Sequence, residues 1–220
     1  DSTPTKGFYY WNNSGMSWVA VGGATKIDEL SDGKTDVSGF SIFLGQNAGA
    51  NDVGSGENVG IGGDSMVSNT SGVENTAIGT SSLRSNTSGN DNTSIGNASL
   101  YSNLNGLENT AMGYASLYYN LNGSRNTAIG TGSGILNQGD DNVFIGYSAG
   151  FDELGSNKLY IENSDADADN ALIYGEFDND ILRTNGELQI GNPTSTGYAL
   201  PTADGTVNQI LVTDGNGQLS

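Results

Sequence analysis

Four acidic residues carry a spacing that can hold a calcium ion. Asp165, Asp167 and Asp169 stand at positions 1, 3 and 5 of a loop in which Glu176 falls at position 12, the pattern that turns alternate carboxylates toward one cation. Asn170 stands where such a loop needs Gly at position 6, and the flanking segments alternate like strands. A structural Ca2+ is one reading, and solvated carboxylates at a hairpin tip are the other. Aromatic rings offer a second chemistry, a flat apolar face for a sugar. Trp11 and Trp18 flank an "NNSG" turn, and Tyr101 and Tyr118 hold equivalent places in successive repeats. Little else is reactive. The chain has no His and no Cys, so the commonest general base and the thiolate nucleophile are missing, and no disulfide can form. No glycine loop leads into Lys-Ser or Lys-Thr, as phosphate cradles do. The carboxylates cluster in turns, where nothing pairs them as a glycosidase requires. The chain is expected not to be an enzyme, with no cofactor beyond structural Ca2+.

Charge narrows the partners. With 25 acidic against 7 basic residues the net charge is -18, which repels nucleic acid and anionic membranes. No apolar run reaches the roughly 20 residues of a membrane span, so membrane insertion is not expected. No secretion signal is visible within the sequence. The sequence does not begin with Met, and it is expected to be a fragment or a processed product.

The elements that position these residues come from a repeat. The glycines Gly45, Gly62, Gly79, Gly96, Gly113, Gly130 and Gly146 are separated by 17 residues five times and then by 16. Ahead of each stands an aliphatic residue, including Ile78, Ile95, Met112 and Ile129, and three residues before that an Asn, including Asn75, Asn92, Asn109 and Asn126. A second apolar column is Met66, Leu83, Leu100 and Leu117, with Ile135 as its expected displaced member. A second Asn column is Asn69, Asn86, Asn103, Asn120 and Asn137. A fixed period of this kind marks a repeat architecture.

Seventeen residues suit two short strands and two turns. "TAIG" reads as a strand, "SLYS" as a weaker one, and "NTSG" and "NLNG" as turns in which Asn and Gly take positive φ. Coils stacked at about 4.8 Å put each kept residue against its own copy, so Ile meets Ile, Leu meets Leu and Asn amides bond along a ladder. The predicted fold is all-β, a parallel β-roll or β-solenoid of 17-residue coils over 41–150. Residues 1–23 are expected to be an aromatic β-hairpin cap, 24–40 a linker with a helical turn at 27–30, and 151–220 a hairpin-rich shaft. One hairpin of that shaft is expected to turn at Asn185-Gly186, with further turns at Asp204-Gly205 and Asp214-Gly215.

The repeated "NTAIG…SL…N…G" units resemble the stacked repeats of YadA-type trimeric adhesin heads. They are closer to long bacterial and phage fibre proteins with "NTAIG"-type repeats, a likeness covering 41–150. The "NKLYIENS" and "LIYGEF" segments resemble the shaft preceding an intramolecular chaperone in such fibres. The resemblance implies an extracellular, cell-surface or particle-mounted homotrimeric fibre that binds a surface receptor or glycan. A passive spacer is the first alternative, and an ice-binding solenoid presenting Thr76, Thr93, Thr110 and Thr127 is the second. A core with one apolar column per strand is thin, so self-association through Tyr101, Tyr114, Tyr118, Tyr119 and Leu121 is expected.

Overall fold

In the computed structural model of the chain, the described residues are 9–12, 17–20, 33–35, 40–53, 56–185, 189–190 and 198–199. Strands and turns make up the described residues, with no helix among them. Strand β1 (Tyr9–Asn12) pairs antiparallel with β2 (Ser17–Ala20), Trp11 opposite Trp18, as the expected hairpin. An eleven-stranded sheet begins at β3 (Gly33–Thr35) and ends at β13 (Ile181–Thr184). Eight of its strands run parallel. They are β4 (Ile42–Leu44), β5 (Val59–Ile61), β6 (Thr76–Ile78), β7 (Thr93–Ile95), β8 (Thr110–Met112), β9 (Thr127–Ile129), β10 (Val143–Ile145) and β11 (Lys158–Ile161). Each pairs with the next at the same repeat position, so the chain is a parallel β-solenoid spanning about 34 Å along its axis.

Antiparallel strands lie on both ends of the parallel run. At the start, β3 pairs with β4; it lies inside the segment read as a linker, whose predicted helical turn at 27–30 is outside the described residues. The Lys34 ammonium reaches across the first coil, donating to the carbonyls of Gly49 (2.5 Å) and Asp52 (2.8 Å). At the far end the parallel ladder does not stop at Gly150. It continues into β11, which then pairs antiparallel with β12 (Ile173–Glu176), and β12 with β13. The turn between β12 and β13 is 177–180, where 181–184 folds back onto 173–176; the hairpin turn expected at Asn185-Gly186 runs into residues outside the described ones. A separate pair joins β14 (Gln189–Ile190) and β15 (Tyr198–Ala199). The turns expected at 204–205 and 214–215 lie outside the described residues.

The interior differs from the predicted one in two ways. First, each coil has one strand. The segment read as a second strand is a succession of turns, with Leu83, Leu100 and Leu117 at φ 46–50°, a left-handed backbone that no strand contains. Second, the isoleucine file is continuous but lies outside. In a three-residue strand the side chains alternate, and it is the middle residue that points in: Ala77, Ser94, Ala111 and Ala128 are fully buried, while Ile78, Met112 and Ile129 are 37–42% exposed. Leu83, Leu100 and Leu117 rise from the turns to fill the core over these small residues.

Ile135 is not the next member of the leucine column. Leu117 bonds through its amide to Ser133, and the next coil puts Gly134 in that column. A Cβ at Gly134 would fall 2.5 Å from the Phe144 ring, which already fills the space. The same exchange occurs at the first coil, where Phe43 faces Gly49.

The two Asn columns are buried throughout, and they hold the coils together. Asn75 Oδ1 accepts from the amide of Asn92 (3.0 Å) and from its Nδ2 (3.1 Å), while Asn92 Nδ2 also donates to the Gly106 carbonyl (2.9 Å). Asn109 and Asn126 repeat the arrangement. The second column bonds amide to amide, Asn86 to Asn69 and Asn103 to Asn86, each at 2.9 Å. Buried polar groups are thus satisfied by their own copies, which a buried amide requires. Asp52 begins this column, and its carboxylate accepts from Asn69 Nδ2 (2.6 Å).

Left-handed backbone falls elsewhere than on the Asn and Gly of "NTSG" and "NLNG". It falls on the residue before each ladder Asn, as at Glu74, Asp91, Glu108 and Arg125 (φ 56–57°). The turn glycines are kept for space: a Cβ at Gly89 would lie 2.4 Å from both Asn86 Oδ1 and the Gly106 carbonyl oxygen.

Candidate functional site

Among the described residues, three lateral surfaces and one loop cluster carry the side chains that face outward. The first surface is the outer face of the sheet. One file on it is Leu44, Ile61, Ile78, Ile95, Met112, Ile129 and Ile145, running on to Ile161. Beside it runs Ile42, Val59, Thr76, Thr93, Thr110, Thr127, Val143 and Leu159, so the threonine file is real and is bordered at both ends by aliphatic residues. Neither file contains a charge.

The second surface is the tyrosine corner. Tyr101 and Tyr118 stack face to face at 4.8 Å with their planes 2° apart. The Arg84 guanidinium lies 5.6 Å from the Tyr101 ring centre, and Tyr119 meets Tyr118 edge-on at 4.6 Å. Burial first, then the neighbouring Tyr101, holds the Tyr118 phenol above its ordinary value. These two rings spend faces on each other and on Arg84, so edges and hydroxyls are what they offer outward. Tyr114 and Tyr147, 60% and 57% exposed, each follow directly on a sheet-end glycine, Gly113 and Gly146. Of Trp11 and Trp18 the described backbone gives only their pairing in the hairpin.

The third surface is acidic. Glu57, Glu74, Asp91 and Glu108 precede successive ladder asparagines and form a file of like charge one strand spacing apart. The Asp91 carboxylate raises the pKa of Glu74 by repulsion and by hydrogen bonding. At the next coil Arg125 interrupts the file and bonds Asp141 with both ends of its guanidinium (2.6 and 2.8 Å), which holds the Asp141 carboxyl below its usual range.

The loop cluster contains the calcium-spaced carboxylates, and its members face different neighbours. Asp167 Oδ1 accepts from the amides of Asp169 and Asn170 (both 3.1 Å), holding a turn. Asp169 pairs with Arg183 at 3.0 Å. Glu176 accepts from the Tyr174 hydroxyl (2.8 Å), with Lys158 at 3.7 Å. Asp165 lines an open cleft of about 240 Å³ with Asp167, Phe151, Glu153 and Tyr160. There the Tyr160 hydroxyl donates to Glu153 (2.7 Å), and burial pushes the phenol's pKa well up. Among the described residues no group of three or more acidic side chains is arranged to hold a metal ion.

Sequence reasoning found the files but missed Arg125–Asp141, Lys34 and Glu162. Glu162 accepts from the amides of Asn163 (2.5 Å) and Leu172 (2.6 Å), pinning the loop between β11 and β12. A signal existed only for Arg125, a lone cation in an otherwise acidic column. No helix among the described residues is long and apolar enough to cross a membrane. Comparisons with protein-family models, with curated proteins and with solved structures find no match.

Proposed function

We propose that this chain is a segment of an extracellular, homotrimeric fibre that binds a cell-surface receptor or glycan through its lateral surfaces and carries out no catalysis. The observation that carries the reading is the in-register stacking of eight parallel strands with two continuous buried Asn ladders. Such a rod holds outward side chains in straight files at a fixed spacing, which is what a long contact with a surface needs. The resemblance of the "NTAIG" units to bacterial and phage fibre repeats supports the same reading. Residues 151–220 then belong to the shaft. Binding of the purified chain to glycan arrays and to intact cells tests the proposal. Saturable binding supports it, and a chain of fibre-like mass that binds neither is a passive spacer.

One observation favours a second reading. Thr76, Thr93, Thr110 and Thr127 form a file on a sheet face without charge, a surface able to order water into a regular lattice. Thermal hysteresis in the purified protein supports ice binding, and its absence ends that reading.

A further inference from the structure

We infer that the outer face of the sheet is where copies of this chain meet, parallel and in register, with the Leu44–Ile161 file at the centre of the contact. The inference rests on the fibre reading for its parallel direction, and it places the contact on a different surface from the tyrosine corner that the sequence suggested.

Three observations converge. The apolar file is unbroken and crosses into the C-terminal cap, where Ile173 of β12 stands opposite Ile161. Its members from Leu44 to Ile145 are about 37–42% exposed where they are most open. Nine strands at ~4.8 Å, with a strand width near 10 Å, give a patch of roughly 400 Å², the size at which an exposed apolar surface invites association.

Charge selects the occupant. A chain of net charge -18 repels its own copies wherever carboxylates face each other. Both outward files of β4–β10 lack any Asp, Glu, Lys or Arg, so copies approach here without that penalty. The acidic file lies on the threonine side, one residue before each ladder Asn. Contact centred on the isoleucine side keeps the acidic files apart and brings Tyr114 and Tyr147 to its margin.

Period selects the partner's shape. A surface ridged once per coil fits another with the same ridge, and a second copy supplies it at every strand. The threonine-side file reads almost the same from either end: Ile42 and Val59, four threonines, then Val143 and Leu159. An antiparallel pairing therefore also matches over the coils, but it leaves Ile173 and Leu182 of the C-terminal cap without a counterpart. Parallel packing sets each of them on its own copy.

The test measures mass by light scattering at micromolar concentration. The wild-type chain is expected at a multiple of 22.7 kDa. Ile78→Glu with Met112→Glu is expected to reduce it to a single chain with its circular dichroism unchanged. Leu104→Glu with Leu121→Glu, equally exposed apolar residues on another corner, is expected to leave the mass unaltered. An Ile61→Cys chain, the native sequence having no Cys, is expected to cross-link to itself with a short bis-maleimide. A monomeric wild type overturns the inference. So does a multimer indifferent to the Ile78 and Met112 changes, or broken by those at Leu104 and Leu121. So does cross-linking of Ile61→Cys only to an Ile145→Cys chain, which marks antiparallel copies. A multimer that obeys the expected pattern yet binds no glycan or cell keeps this interface and sinks the adhesive function instead.

Discussion

The middle coils and the end coils fill the same interior by opposite means. In the middle a small strand residue faces a large turn residue, as Ala77 with Leu83, Ser94 with Leu100 and Ala111 with Leu117. At the ends the sizes are exchanged: Phe43 lies over Gly49, and Phe144 over Gly134 and Gly150. What is kept is the filled interior shared between neighbouring coils rather than the identity of any one residue: Ala128 and Gly134 are both small, and the Phe144 ring of the next coil fills their space. Close packing at near-crystal density demands this, and the exchange lets the ring of an end residue cover the leucine stack.

The strongest way to break the comparison is to make an end position resemble a middle one. Gly134→Leu puts a side chain where the Phe144 ring already sits, and should destabilise the fold by about 3 kcal/mol or more, beyond the usual overpacking cost because the ring cannot yield. Adding Phe144→Ala should restore part of that loss, since it relieves the clash and gives Ala128 a middle-type partner while emptying the space over Gly150. Chemical denaturation of the four proteins in the cycle measures it, and two additive losses would refute volume exchange. Next in size, Leu100→Ala leaves a cavity in a middle coil and should cost about 2–5 kcal/mol, read as a lower denaturant midpoint with an unchanged slope.

The Asn ladders sharpen the same contrast. Asn92→Ala removes a group that serves the Asn75 side chain, the Asn109 amide and the Gly106 carbonyl together. Stranding these partners should cost about 1–3 kcal/mol. At the end of the second ladder, Asp52→Asn should cost less, because an amide oxygen can still accept from Asn69. Amide hydrogen exchange at Asn109 and at Asn69 separates the two cases.

The smallest effect is electrostatic. Glu74 in the middle has a raised pKa, so its ionised form disfavours the fold. That penalty is complete above the raised pKa, and fades as pH falls through it toward the ordinary carboxyl value of 4.5. Asp141 behaves oppositely: its stabilisation is complete above 3.8 and is lost as pH falls through its lowered folded value. Asp91→Lys should reverse the direction at Glu74, and an NMR titration of the Glu74 carboxyl in both proteins checks the sign.

Much of this was legible in the residues. The glycine before each turn can hardly be anything else, because at Gly79 the backbone is left-handed (φ 134°) and a Cβ would lie 2.5 Å from the Gly96 carbonyl oxygen. Its 17-residue spacing therefore announced the stack. The Asn ladders were legible for a related reason, since a buried amide is best satisfied by a copy of itself. Tyr101 and Tyr118 read only as varied, outward-facing positions, and their stacking is visible in the structure alone. The 1-3-5 spacing of the carboxylates said nothing of their partners, because the loop wraps Asp167 onto its own backbone and turns Asp169 toward Arg183, a residue from a later strand. The extension through β11 was hidden by the loss of the glycine, since Glu162 stands where the repeat would place it.

By itself the sequence determined registry: which residues stand on which, coil after coil. It did so because neighbours in a stacked rod are repeats of one another, and only certain residues tolerate contact with their own copy. What it left to the tertiary structure was the direction of each file. A strand of Thr, Ala and Ile has two residues on one side and one on the other, and hydrophobicity alone points the isoleucine inward. The leucine rising from the turn takes that space, leaving room only for alanine or serine, and so the larger aliphatic side chain is turned out onto the surface.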